Sequence, residues 1–506
     1  MVWLLILLVF VLWFVFVRYR NRHKRKLANL CRNNRMSLPI IGVAHHFIGT
    51  EEDRMKALMK IGREAIKQGG FAGGWLLNML MVVIADPFDA EEVMRVSLRK
   101  MDGLDITEDL LGNGHMFAKV PIWRPRRKVI APMLSQKNLE MFLEVFTRNS
   151  ENMIDKLTKL CGQPISLSKY ITAYSMDAIC ETSLGIKMDI QNNQYHPFLL
   201  AFQTFEKMVV DRLMQSWLYP DFVYKLMPCY RIYKKQTDIL QEFVKQVILA
   251  KRIKFRDIEN ENLAECDQLQ NQQNSRKSFL EQLIDIGYND IDLQEEMLVL
   301  ILAGTDTSAA GASFTAVMLS QHQHVQDKLY EELMEVLGNS DRPLEPSDIP
   351  RLKYLEAVIK ETLRLYPPVP AVVRMVEKEY ILPSGFKLVP DVGAVIHIWA
   401  MHRNPTFWGN DAEDFRPERF LDNNLKHPAA YMPFSFGVRN CVGARYAMTS
   451  MMTVIANLVR KFKLLPPKNV YSHGSQKRKK TKPLRTKFDI IMRHVDGYEV
   501  QIEERR

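Results

Sequence analysis

Apolar residues recur at three- and four-residue steps over 139–160, 198–217 and 231–255, the spacing that lines one face of a helix. From about residue 37 to about residue 320 this pattern dominates, so the first part of the chain is predicted to be mainly helical. The remainder mixes helical stretches (323–336, 355–365) with short extended ones (380–382, 389–398, 499–503). Helices outweigh strands, and the predicted fold class is mainly α with small β-sheets, an α+β arrangement. Residues 257–278 turn polar, with Gln-Leu-Gln-Asn-Gln-Gln-Asn at their centre, and read as an exposed helix end followed by a solvated loop. No internal repeat is evident.

The pattern breaks most sharply at the start. Residues 1–17 are apolar without interruption and are followed by Arg18-Tyr-Arg-Asn-Arg-His-Lys-Arg-Lys26. Seventeen residues lie at the short end of what spans ~30 Å of hydrocarbon as a helix, with Trp3 at the interface and Arg18 and Arg20 snorkelling to help. A cleaved signal peptide carries its charge before the apolar run and small residues after it. Here the charge follows, so a retained N-terminal transmembrane helix over 1–17 is expected. Residues 18–36 then form a basic linker, and 37–506 the folded catalytic domain, entered through Leu38-Pro-Ile-Ile-Gly42. The positive-inside rule leaves that domain in the cytosol, which in a eukaryotic cell means the endoplasmic reticulum membrane.

Charge and cysteine usage narrow the function. The net charge of +11 arises from 69 basic and 58 acidic residues, and the first 35 residues hold eight of the basic ones and no acid. Setting those 8 aside leaves 61 against 58, a body near neutrality. That argues against a nucleic-acid partner and for anionic lipid as the counter-charge of the basic stretch. Lys477-Arg-Lys-Lys480 is read as a solvated loop. The six cysteines (31, 161, 180, 229, 266, 441) form no CxxC or zinc-type cluster, so a disulfide scaffold and a structural zinc site are not expected.

Four stretches carry chemistry. In Phe434-Ser-Phe-Gly-Val-Arg-Asn-Cys-Val-Gly443 a cysteine stands between two glycines just before the apolar run 444–458, where a helix N-terminus would stabilise its thiolate. Within Leu298–Ser308 an apolar helix is interrupted by Gly304, Asp306 and three hydroxyls, which a purely structural helix does not need. Alone, that interruption reads equally as a polar kink whose threonine bonds back to the preceding turn. Glu361-Thr-Leu-Arg364 puts a carboxylate and a guanidinium on one helix face, alone worth only ~0.2–0.5 kcal/mol. Trp123-Arg-Pro-Arg-Arg127 pairs an indole with a guanidinium four residues on.

Together these residues resemble the cytochrome P450 superfamily. The first stretch fills every fixed position of its haem-binding pattern FxxGxRxCxG (Phe434, Gly437, Arg439, Cys441, Gly443). The second fills its oxygen-binding groove [AG]-G-x-[DE]-T-[TS], and the motifs occur in family order from Trp123 to Gly443. The resemblance implies haem b, with Cys441 as iron ligand and Gly437 and Gly443 allowing close backbone approach. Trp123, Arg127, Arg374 and Arg439 would meet the propionates. Ala303 and Gly304 would make room for dioxygen, Thr307 would donate to it, and Asp306 would relay protons from solvent. Glu361, Arg364 and Arg419 would form a structural triad holding the cysteine-loop side of the fold.

Thiolate ligation suits oxygen activation. The implied activity is therefore insertion of one oxygen atom from O2 into a lipophilic substrate such as a fatty acid, a hormone-like lipid or a xenobiotic. Electrons would come from NADPH through NADPH-cytochrome P450 reductase, with cytochrome b5 as a candidate second donor. The Tyr366-Pro-Pro-Val-Pro370 segment and the terminal Gly497-Tyr-Glu-Val-Gln-Ile-Glu503 are most like the clan of fatty-acid ω-hydroxylases and many insect members. Three departures separate this chain from that group. Ala303 stands where many members have a glutamate that esterifies the haem, so non-covalent haem is expected; Ser308 replaces the usual second threonine; and the proline-rich hinge is reduced to Pro39. The other readings are a haem isomerase or dehydratase of lipid hydroperoxides, and a haem-containing binder without turnover.

Overall fold

The computed structural model describes residues 11–12, 15–16, 19, 21–30, 38, 42–76, 79–101, 106–215, 218–262, 277–422, 425–467 and 483–505. Most of the expected membrane segment, much of the basic linker, the start of the folded domain near Ser37, the core of the polar loop and the 477–480 basic run lie outside these residues. The chain forms two compact bodies interleaved in sequence. One comprises Met1–Met101, Val369–Asp414 and Leu425–Asn440; the other comprises Asp102–Pro368, Phe415–Asn424 and Cys441–Arg506.

The first body is built on a four-stranded sheet in the order Phe71–Leu76, Met79–Ile84, Gly393–Ile396, Val372–Met375. The outer pairs are antiparallel and the middle pair, Met81–Ile84 against Gly393–Ile396, is parallel. Met-Leu-Met-Val-Val-Ile is apolar throughout because this strand is flanked on both edges and almost wholly buried, so it lacks the alternation of a half-buried strand. That is why the sequence pattern did not announce it. Glu51–Lys67 packs beside the sheet, started by a capping box in which Thr50 and Asp53 satisfy each other's backbone N–H groups. The expected extended stretch 389–398 is shorter than predicted: Lys387–Leu388 pairs with Tyr380–Ile381, and the chain turns helical at Ile398–Met401.

The second body is helical. Helices occupy Gln136–Thr158, Pro197–Met214, Gln323–Leu337 and Lys353–Leu365, where periodicity predicts them to within a few residues, and Pro228–Asn262, which runs on past the predicted end at 255 into the polar stretch read as an exposed helix end. Leu167–Leu184 and the central helix Asp290–Gln321 lack a clear period because they are buried nearly all round. The central helix is, among the described residues, the one helix long and apolar enough to cross a membrane, yet it is mostly buried inside its own body and serves as its core. Two small antiparallel sheets complete this body: Pro164–Ser166, Glu499–Glu504, Phe462–Leu465, and the hairpin Thr486–Asp489 with Ile491–His494. Mostly helical with small sheets, the fold class agrees with the sequence reading.

Candidate active site

The cysteine loop is shaped by two left-handed residues, Ser435 (φ 66°) and Gly437 (φ 72°). A Cβ at Gly437 would lie 3.1 Å from the Met94 carbonyl oxygen, so only glycine takes this turn without displacing its neighbour. Arg439 follows, buried, its Nη1 donating to the Leu98 carbonyl at 2.7 Å. Arg374, on the sheet of the same body, is also buried, and its Nε has no hydrogen-bond partner. Burial, reinforced by the Arg439 charge, pulls Arg374 down to about 10, and burial alone brings Arg439 to about 10. Both remain cations at neutral pH.

In the second body, Cys441 stands two residues ahead of Gly443, which caps the helix Ala444–Lys461. That helix is pinned by buried polar contacts. The Tyr446 hydroxyl lies 2.9 Å from Thr182 Oγ1, the Tyr174 hydroxyl donates to the Ser450 carbonyl at 3.1 Å, and the Tyr446 and Phe146 rings meet edge-on at 4.9 Å. Trp123, buried, and Arg127, half-buried, share one face of Val120–Met133 at i,i+4 spacing. Burial lowers the Arg127 pKa while the Cys441 thiolate pushes it back up, so the guanidinium lies within electrostatic reach of the sulfur.

The neighbouring Arg126 does something else. It donates from Nη1 to the Asn113 carbonyl at 2.6 Å and to Glu296 at 3.0 Å, and it also pairs with Asp292. Glu296 in turn accepts from the His115 backbone N–H at 3.0 Å and faces its Nδ1 at 2.7 Å. This buried cluster ties the Trp123–Arg127 helix to the central helix. Sequence reasoning missed it, because Glu296 closes the acidic stretch Asp290-Ile-Asp-Leu-Gln-Glu-Glu296 and looks there like an ordinary exposed charge.

On the central helix, Thr307 Oγ1 donates to the Ala303 carbonyl at 2.7 Å, the back-bonding that the kink reading describes. Gly304 has a specific packing use. A Cβ there would lie 2.9 Å from two side-chain carbons of Ile179, so the glycine lets Leu167–Leu184 approach closely, and the space beside its α-carbon belongs to Ile179. Asp306 is buried and paired with Arg493 from the C-terminal hairpin. Glu361, Arg364 and Arg419 meet. Arg364 Nε and Nη2 donate to the two Glu361 oxygens at 2.6 and 2.8 Å, Arg419 Nε donates at 3.2 Å, and the Arg416 backbone N–H adds a fourth bond at 2.9 Å.

The family model for cytochrome P450 matches residues 35–488, most of the chain. The chain belongs to the cytochrome P450 family. It is 32% identical over 426 residues to cytochrome P450 4V2 of Mus musculus, covering 82% of this chain and 78% of that one. Human cytochrome P450 4V2 is 30% identical, with 90% and 84% covered. Cytochrome P450 4g15 of Drosophila melanogaster is 26% identical over 99% of this chain and 96% of its own length. The chain is thus a haem monooxygenase of lipophilic substrates, most like the P450 4 group.

Each body, taken by itself, offers donors of the kind the haem of a P450 needs. A soft sulfur stands before a helix N-terminus for the iron. Arg374 and Arg439 are two buried guanidiniums that repel each other, and the orphaned Arg374 Nε calls for an anionic acceptor such as a propionate.

Proposed function

We propose that Cys441 ligates the iron of a non-covalently held haem b, that Trp123, Arg127, Arg374 and Arg439 meet its propionates, and that electrons reach it from NADPH through NADPH-cytochrome P450 reductase. Cytochrome b5 is a candidate second donor. When bound, the haem supplies dioxygen activation at an iron to which the thiolate donates electron density. The observation that supports this reading most directly is the place of Cys441, two residues before Gly443 at the N-terminus of the helix Ala444–Lys461, with the Arg127 guanidinium interacting with it electrostatically. Thr307 Oγ1 can turn from the Ala303 carbonyl and present its hydroxyl, and Asp306 behind it can hold and release a proton. A hydroperoxide isomerase needs no such proton path. Ala303 offers no carboxyl for a covalent bond to the haem.

The substrate is a fatty acid, a hormone-like lipid or a xenobiotic taken up from the membrane. The N-terminal segment is read as an endoplasmic reticulum anchor with the catalytic part on the cytosolic side. In support, Val11, Leu12, Val15 and Phe16 are helical, and their apolar side chains are exposed.

The test is the absorption spectrum of the reduced, carbon monoxide-bound protein beside a Cys441→Ser variant. A strongly red-shifted Soret band lost in the variant is expected. A folded wild-type protein with no such band, or a variant that keeps it, would overturn the ligand assignment.

A further inference from the structure

Asp306 does not stand alone behind Thr307. Glu206, from Pro197–Met214, is hydrogen-bonded to it, and the Arg493 guanidinium that pairs with Asp306 also lies 3.7 Å from Glu206 Oε2. Two carboxyl groups therefore meet one cation. Arg493 Nε has no hydrogen-bond partner, and neither does the buried Tyr498 hydroxyl, which interacts electrostatically with the arginine. With both carboxyls ionised the site would hold an excess negative charge in a poorly solvated place, beside the further negative charge of Asp489. Burial first, and then Asp306, raise Glu206 well above the usual carboxylate range, against the opposing pull of Arg493. Burial opposes the Arg493 charge, but Asp306 and Glu206 outweigh it. Glu206, whose ionisation burial and the neighbouring Asp306 charge oppose, is the member of the pair placed to hold a proton.

We propose that Glu206 is the proton-holding member of a three-group relay, handing its proton to Asp306 while Arg493 holds the two carboxyl groups together. The step is a proton transfer alone. The O–H bond on Glu206 breaks as one forms on Asp306, the negative charge moves to Glu206, and Glu206 then takes a proton from water; no electrons move. Glu206 acts through Asp306, and Arg493 is a positioning residue supplied by the C-terminal hairpin. This rests on the reading of Asp306 and Thr307 as the proton path to dioxygen. It adds the reservoir behind them and links that path to two elements, Pro197–Met214 and Ile491–His494, that no family motif names.

The experiment uses the haem-loaded full-length enzyme as wild type, Glu206→Gln, Glu206→Asp and Asp306→Asn. Infrared difference spectra taken from neutral to alkaline pH are expected to show a protonated-carboxyl band that disappears as pH rises in the wild type and is absent throughout in Glu206→Gln. A band that persists unchanged in Glu206→Gln would overturn the proposal. In parallel, each enzyme is driven by NADPH and a microsomal flavoprotein reductase with lauric acid as probe, and the share of consumed dioxygen released as hydrogen peroxide is measured. That share is expected to rise severalfold in Glu206→Gln and in Asp306→Asn, and to fall back towards wild type in Glu206→Asp. An unchanged share in Glu206→Gln beside a raised share in Asp306→Asn would remove Glu206 from the relay. An unchanged share in both would remove the Asp306–Thr307 path itself.

Discussion

At the scale of single residues, Glu361 shows how context reverses the value of an ion pair. An exposed i,i+3 pair contributes a few tenths of a kcal/mol, but the Glu361 and Arg364 side chains have no exposed surface and Arg419 retains only 6%. The carboxylate there compensates two buried guanidiniums and caps the Arg416 backbone N–H. Glu361→Gln keeps the shape but leaves two cations without their anion, a loss of about 3–5 kcal/mol for a broken buried pair. Urea unfolding of the variant is expected to show a loss of that size together with reduced haem retention; a loss below about 1 kcal/mol would mean the triad is solvated in solution. Glu361 and Arg364 were legible in the sequence because a short motif fixes them, and Arg419 through the family resemblance of Phe415-Arg-Pro-Glu-Arg-Phe420. Glu206, Arg493, Arg126 and Glu296 were not, since their partners lie on distant segments and each looks locally like an ordinary charged position.

At the scale of elements, sequence reading succeeded where a helix has one wet face and failed where it has none. Gln136–Thr158 and Gln323–Leu337 alternate apolar and polar faces and were found; Leu167–Leu184 and the strand Met79–Ile84 are buried on nearly every side, and periodicity carries no signal there. The junction after the strand Gly393–Ile396 shows what such burial does to chemistry. The ring of His397 lies under Gly62, where an added Cβ would come within 2.7 Å of it. Its Nε2 donates to the Leu58 carbonyl at 2.9 Å and its Nδ1 accepts from the Ala400 N–H at 3.2 Å, so the neutral ring is fully satisfied. Burial foremost, with the Arg403 charge adding to it and the Leu58 hydrogen bond opposing, lowers His397 from 6.5 to about 4. The unfolded chain therefore binds the extra proton first, and stability falls as pH drops from about 6.5 to about 4, by about 3 kcal/mol in all. Urea midpoints measured across that window should fall less steeply for His397→Asn, which keeps the cap and removes the titration. Parallel losses in the two proteins would show that the imidazole protonates without unfolding cost.

At the scale of the whole molecule, the family and its chemistry were readable from motifs, while the division into two interleaved bodies was not, because it is set by contacts between segments hundreds of residues apart. Charge is the global property the sequence states outright. Eight of the 69 basic residues lie in the first 35 positions, behind an apolar run, and the remaining chain is close to balanced. Two forces would then hold the enzyme to a membrane, burial of residues 1–17 and attraction of the basic stretch to acidic lipid, and they differ in their response to salt. Each lysine or arginine near an anionic surface contributes about 1 kcal/mol, screened within a Debye length of about 8 Å at physiological ionic strength, whereas hydrophobic insertion is insensitive to moderate salt. Full-length enzyme is expected to sediment with both neutral and acidic vesicles at any moderate salt. Removal of 1–17 should leave binding only to acidic vesicles and only at low salt, and removal of 1–36 should abolish both while sparing the carbon monoxide spectrum. If the chain lacking 1–36 still sediments with neutral vesicles, the catalytic part carries a membrane-binding surface of its own, and the N-terminal segment is not what holds it there.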